Sequence, residues 1–199
     1  MADQKISAMP AAATLTGAEQ VPLVQSGVNV RSTVAGLSAY AQSIYGVYGA
    51  WQDTTTQNGS TTTPTVFTLN TVDSVDGIVL SEASKLTVPN TGVYNLQWSG
   101  QFTSEDTATT DVWVWVRING VDLVGSTGLI GMLPRKNPGQ PSHLIAGWNY
   151  FLNLNAGQYV QLYWVKQTAN VTLAAIAATV GPPAYPSTAS LVVTMNQVG

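Results

Sequence analysis

The sequence predicts an all-β protein, a β-sandwich of the jelly-roll or Greek-key type, preceded by a small N-terminal arm built from a β-hairpin and a short helix. Three observations predict it. Beyond residue 50 the apolar residues recur at every second position in short runs, the period of a half-buried strand. Clusters of Gly, Asn and Pro punctuate those runs with turn chemistry. Finally, 45% hydrophobic residues in a chain of 199 suffice for a packed core and exclude wholesale disorder.

The arm comes first along the chain. Residues 21–25 and 28–31 flank Ser26-Gly27, where Gly supplies the positive φ of a tight hairpin turn. Ser32-Thr33 is placed to cap a short helix on which Leu37, Tyr40, Ala41 and Ile44 recur at i, i+3, i+4 and i+7. A hairpin and one helix fall near the limit of about 40 residues below which chains need a staple or a partner. The arm is therefore expected to dock on something through Ile6, Pro10, Leu15, Val21, Leu23, Val30, Leu37, Tyr40 and Ile44.

Composition changes near Trp51, where QDTTTQNGSTTTPT begins. The expected division is an arm over residues 1–49, a Thr-rich flexible linker over 50–64 and a head domain over 65–199. Charge supports it. The arm holds Asp3 and Glu19 against Lys5 and Arg31, so the whole net charge of -3 lies beyond it.

Within the head, GVYNLQWSGQF alternates Tyr94, Leu96, Trp98 and Phe102 with Asn95, Gln97, Ser99 and Gln101. Further strands are expected at 66–69, 78–80, 85–88, 112–118, 144–154, 159–166, 171–177 and 191–198. Asn119-Gly120, Asn155-Ala156-Gly157 and Pro89-Asn90-Thr91-Gly92 mark turns between them.

Composition also removes whole classes of function. Charged residues make up 9% of the chain against a usual share of about 25%, and the isoelectric point is near 4.8, so no basic footprint for nucleic acid or anionic lipid exists. The absence of Cys and the single His exclude disulfides, thiolate nucleophiles and Cys-ligated or multi-His metal sites. No apolar run approaches the ~20 residues of a membrane-spanning helix, and Asp3 and Lys5 interrupt what would be a secretion signal. The expectation is a protein made in a cytoplasm, with no cofactor, no metal, no nucleic-acid partner and no membrane insertion.

Taken together, GVYNLQWSGQF, VWVWVRINGVD, NYFLNLNAGQYVQLYW and YPSTASLVVTMNQV resemble the trimeric jelly roll shared by tumour necrosis factor and the heads of complement-type collagenous proteins, in the version found on phage and large-virus fibres. The resemblance covers roughly residues 65–199. The stretch KISAMPAAATLTGAEQVPLVQSGVNVRSTVAGL looks like the N-terminal segment by which phage fibre and tail proteins attach to the virion. Two features depart from the pattern: no collagen repeat or heptad shaft joins arm to head, and Gln158 stands where the family often has Asp.

The resemblance implies a virion location and a homotrimer packed about a threefold axis, with Asn95, Gln97, Asn149, Phe151 and Asn153 on the axis face. It also implies other virion proteins as partners of the arm. On this reading the protein is a short fibre or knob, with a host-surface glycan or protein as a further partner class. A capsid decoration subunit without a receptor is the alternative, and a glycan-acting hydrolase a more distant one.

Two further features are read from the residues themselves. Strand 112–118 is apolar on both faces, as is 159–166, and a strand apolar on both sides must be covered twice. Trp113, Trp115, Tyr159 and Tyr163 are thus candidates for a second interface or a ligand surface; thick core or overlying loops account for them equally well. The Gly/Pro-rich segment 125–143 is expected to be a long loop exposing the basic pair Arg135 and Lys136, either for recognition or as a solvated connection whose charges only aid solubility. No catalytic residue is expected: His143 beside Ser142 lies in no nucleophile elbow, and Glu82, Glu105 and the Asp residues sit mostly in turn-like contexts unsuited to a paired-carboxylate mechanism.

Overall fold

The computed structural model describes residues 14–199. It divides into two compact units, one ending at Ile44 and one running from Tyr45 to Gly199. Ile6 and Pro10 lie outside the described residues, as does the side chain of Ile44.

In the first unit β1 (Gln20–Gln25) pairs antiparallel with β2 (Val28–Thr33) across Ser26-Gly27. Both turn residues have positive φ, 51° and 77°, the conformation that lets a two-residue turn follow the strand twist. The helix α1 (Val34–Tyr45) follows directly. Thr33 caps it by accepting the Gly36 amide on Oγ1 at 3.0 Å, and the amides of Val34 and Ala35 donate to the carbonyls of Glu19 and Gly17 at 2.9 Å. The first turn therefore finds its missing acceptors within the unit. The Glu19 carboxylate braces the same corner, accepting the Thr16 amide at 2.7 Å, the Thr16 hydroxyl at 2.8 Å and the Gly17 amide at 2.8 Å. These bonds, that of the Thr16 amide foremost, hold its pKa down to about 2. Val21, Leu23 and Val30 are half-buried, whereas Leu15, Leu37 and Tyr40 are exposed.

The second unit is an all-β sandwich. Its strands are β3 (Tyr48–Asp53), β4 (Thr65–Val66), β5 (Thr71–Asp76), β6 (Val79–Ser81), β7 (Lys85–Thr87), β8 (Gly92–Ser104), β9 (Thr110–Ile118), β10 (Val121–Asp122), β11 (Gly128–Met132), β12 (Ser142–Leu154), β13 (Tyr159–Lys166), β14 (Val171–Leu173) and β15 (Leu191–Gln197). One sheet runs β10-β9-β13-β7-β6, with β11 on β9 and β4 on β13; the other runs β12-β8-β15-β3-β5, with β14 on β8. All pairings are antiparallel, and the strand order is compatible with a jelly roll. Most pairings join distant stretches of chain; β3 is held by β15 with Tyr48 opposite Asn196.

Between the sheets the inward residues of each strand interdigitate. Trp51, Tyr94, Leu96, Phe102, Val112, Val114, Val116, Trp164, Leu173 and Leu191 are fully or almost fully buried. An aromatic chain links the layers: Phe67 meets Trp98 and Trp164 at ring-centre distances of 5.8 and 5.6 Å, and Trp164 meets Phe102 at 5.9 Å. Lys166, although inward-facing, keeps its ammonium bonded to the carbonyls of Ala169 at 3.0 Å and Val171 at 2.6 Å. Burial pushes its pKa down, against the pull of Asp106.

Several sequence expectations are corrected. The boundary expected at residue 50 falls inside β3, whose Gly49, Trp51 and Asp53 face inward. The segment expected to be a flexible linker is pinned to the sandwich: Gln57 exchanges backbone bonds with Leu173 at 2.8 and 3.1 Å. Buried Asp53 accepts the Thr55 amide at 2.7 Å, the Thr55 hydroxyl at 2.6 Å, the Thr68 hydroxyl at 2.8 Å and Asn70 Nδ2 at 3.0 Å. The long loop expected over 125–143 contains β11, which adds to β9 with Leu129 opposite Trp113. Of the Asp residues expected in turn-like contexts, Asp73 and Asp76 lie instead on the edge strand β5.

Candidate functional site

The long strand β12 presents alternate residues to opposite sides. Tyr150, Leu152 and Leu154 turn inward, while His143, Ile145, Gly147, Asn149, Phe151 and Asn153 turn outward and are exposed. Register then fixes what lies beside them. Asn149 is opposite Gln97, Phe151 opposite Asn95, Ile145 opposite Gln101 and His143 opposite Thr103. On the far side of β8, Thr194 is opposite Gln97 and Val192 opposite Ser99, and β3 adds Tyr48, Ala50 and Gln52.

This outer face carries no Asp, Glu, Lys or Arg on β12, β8, β15 or β3. Charge returns on the edge strand β5, where Asp73 accepts Gln52 Nε2 at 2.7 Å. Two large apolar side chains stand on the neutral field, Ile145 at 70% and Phe151 at 66% exposure. Between them the amides are ordered: Asn149 Nδ2 donates to Asn95 Oδ1 at 2.7 Å. Small side chains leave a groove of about 190 Å³ over Gln97, Ser99, Val192 and Thr194, and a second of about 340 Å³ lies over Gln101, His143, Leu144, Ile145 and Ile176. The five residues expected on an axis face, Asn95, Gln97, Asn149, Phe151 and Asn153, thus share one surface. Sequence reasoning missed Ile145, Val192 and Thr194, which the same alternation, carried along β12 and β15, would have placed there.

The second aromatic group lies on the outer face of the other sheet. Trp115 and Tyr163 are cross-strand partners stacked at 6.1 Å with their planes 30° apart. The Arg117 guanidinium lies 4.0 Å over the Tyr163 ring and is paired with Asp122. Trp115 Nε1 donates to Asp122 Oδ1 at 2.5 Å. Arg117 first and then Trp115 hold the Asp122 carboxyl below its ordinary range. The network clamps the β9–β10 hairpin, and Trp115 is left only 9% exposed. Tyr159 is likewise capped by Lys85, 4.9 Å from its ring centre. Trp113 remains half-buried on a shallow pocket of about 430 Å³ with Val124 and Thr127. Of the four aromatics, Trp115 and Tyr163 form one stack capped by Arg117, Tyr159 is capped by Lys85, and Trp113 keeps an accessible indole.

Elsewhere, Arg135 is half-buried, 3.7 Å from Glu105, and its amide donates to the Asp106 carbonyl at 2.7 Å, whereas Lys136 is exposed. Ser142 and His143 face opposite sides of β12, and the Ser142 hydroxyl is engaged with the Leu133 carbonyl at 2.6 Å, so the two do not form a nucleophile–base pair. Among the described residues no cluster of three or more His, Asp or Glu is placed to hold a metal. No protein-family model and no curated protein sequence matches the chain.

Proposed function

We propose that this chain is a structural protein of a virion, whose sandwich heads associate as a homotrimer through the outer face of β12, β8 and β15 and whose N-terminal hairpin and helix form the attachment arm. The observation that carries the reading is the charge-free face with Ile145 and Phe151 exposed at its edge. Copies can be pressed together on such a surface without like-charge repulsion or desolvation of ionised groups, and exposed apolar side chains on an ordered neutral field are characteristic of surfaces that are covered in use. The short hairpin-and-helix unit, with Leu15, Leu37 and Tyr40 exposed, supports the arm assignment.

Three linked heads would convert shallow host-surface contacts into useful avidity, because the second and third contacts form at high effective concentration. The capped state of Trp115, Tyr163 and Tyr159 favours a second reading, a capsid decoration subunit, since it leaves few open ring faces for a receptor. Both readings share the arm and the association face. A variant lacking residues 2–45 is expected to keep the near-ultraviolet circular dichroism and the association of the full chain, yet to be missing from purified virus particles by mass spectrometry. Incorporation at the level of the intact chain would contradict the arm assignment.

A further inference from the structure

The association face contains a single side chain able to gain charge in mild acid. His143 sits outward at the N-terminal end of β12, exposed, and its imidazole makes no hydrogen bond within the described residues. It lines the 340 Å³ groove with Gln101, Phe102, Leu144, Ile145 and Ile176. Opposite it on β8 is Thr103, whose hydroxyl is bonded to Thr172 of β14 at 2.9 Å. None of these neighbours is ionisable. Charged groups adjoin this end of the sheet but are engaged: Glu105 faces Arg135, and Asp106 accepts Asn170 Nδ2 at 2.8 Å and the Thr168 hydroxyl. Lys136, exposed on the loop before β12, adds positive charge to that end and can only raise the cost of another. The remaining ionisable group on the face is the Tyr48 hydroxyl, on β3, two strands beyond β8.

We infer that association of the heads through this face is switched by pH at His143, assembled when the imidazole is neutral and released when it is protonated. The inference rests on the proposed copy-to-copy use of the face. A neutral imidazole in an apolar groove fits a surface with no charges. An imidazolium would be buried there with no carboxylate opposite, because β12, β8, β15 and β3 of each copy present the same neutral surface and Asp73 and Asp76 lie on β5, at the other edge of the sheet from β12, and a buried unpaired charge is strongly penalised. The sign follows from linkage. If only neutral imidazoles are compatible with the assembled face, every histidine that must shed its proton weakens association about tenfold per pH unit below the histidine range. Several copies act together, so the expected loss between about pH 8 and pH 5.5 is at least a hundredfold in affinity.

The test is sedimentation velocity of the full chain and of His143→Asn and His143→Gln at both pH values, with near-ultraviolet circular dichroism reporting that the heads remain folded. Supporting the switch, the natural chain associates at pH 8 and dissociates at pH 5.5, while at least one neutral variant stays associated at both. Persistence of the natural assembly at pH 5.5 overturns the switch and leaves the interface standing. Equal acid dissociation of the natural chain and both variants also overturns it and assigns the effect to other groups. A natural chain already monomeric at pH 8 removes the interface itself, and the switch with it.

Discussion

Gly49→Ala is expected to destabilise the sandwich by about 3 kcal/mol, the upper end of what overpacking a core costs. Gly49 and Trp51 are neighbours on the inward side of β3, and the Trp51 indole, fully buried, folds back along its own strand. A Cβ at position 49 would stand 2.0 Å from Trp51 Cη2 and 2.3 Å from Cζ2. Nothing flexible lies at that contact, so the rigid indole must leave the core or the strand must shift. Gly181→Ala, with no atom within 4 Å of the added carbon, is the control and should fall within about 0.5 kcal/mol of the parent. Thermal unfolding separates the two, with an expected drop of roughly 10 °C for Gly49→Ala. Equal melting temperatures would mean that Trp51 does not occupy this site.

Phe151→Asp has the other large effect, and it falls on association rather than on folding. The side chain is 66% exposed in the isolated chain, so the head should melt as before. In the assembly the new carboxylate would be buried against copies of itself on a face without a cation. That costs about 3 kcal/mol or more, over a hundredfold in affinity. Ile145→Asp should act in the same way. Val121→Asp, equally exposed but on β10 of the opposite sheet, should leave association unchanged. Sedimentation velocity over a concentration series measures all three; parallel behaviour of Phe151→Asp and Val121→Asp would exclude the β12 face from any interface.

Much of the sandwich was legible in the amino-acid order, for reasons tied to particular residues. In β8 and β15 most inward positions are large and apolar and most outward ones polar, so the period of two is plain, whereas β9 and β13, apolar on both faces, were readable from their run of β-branched and aromatic residues. Asn119-Gly120 was readable because both residues must take positive φ, and they do, at 49° and 80°. The strands that escaped notice are those whose pairing comes from elsewhere. In β3 the inward positions are Gly49, Trp51 and Asp53, a set with no hydrophobic period; what makes it a strand is β15 on one side and the bonds to Asp53 below. The Thr-rich stretch after it has the composition of a linker, yet its hydroxyls and amides satisfy buried acceptors.

The functional face was partly legible. Alternation assigns Asn95, Gln97, Asn149, Phe151 and Asn153 to one side of two strands and, carried along β15, puts Val192 and Thr194 on one side of theirs, but only register sets Phe151 beside Asn95 and Thr194 beside Gln97. The aromatic strands show the opposite difficulty. The sequence leaves open what covers Trp115 and Tyr163, an interface, a ligand or the chain itself, because only the fold draws Arg117 and Asp122 together through the β9–β10 hairpin to close over them.

The most direct test of the copy-to-copy face is the solution mass of the intact chain by sedimentation equilibrium at micromolar concentration and neutral to mildly alkaline pH. The expected mass is three times the 21.0 kDa of one chain. A value of 21.0 kDa, unchanged as concentration rises, would contradict it.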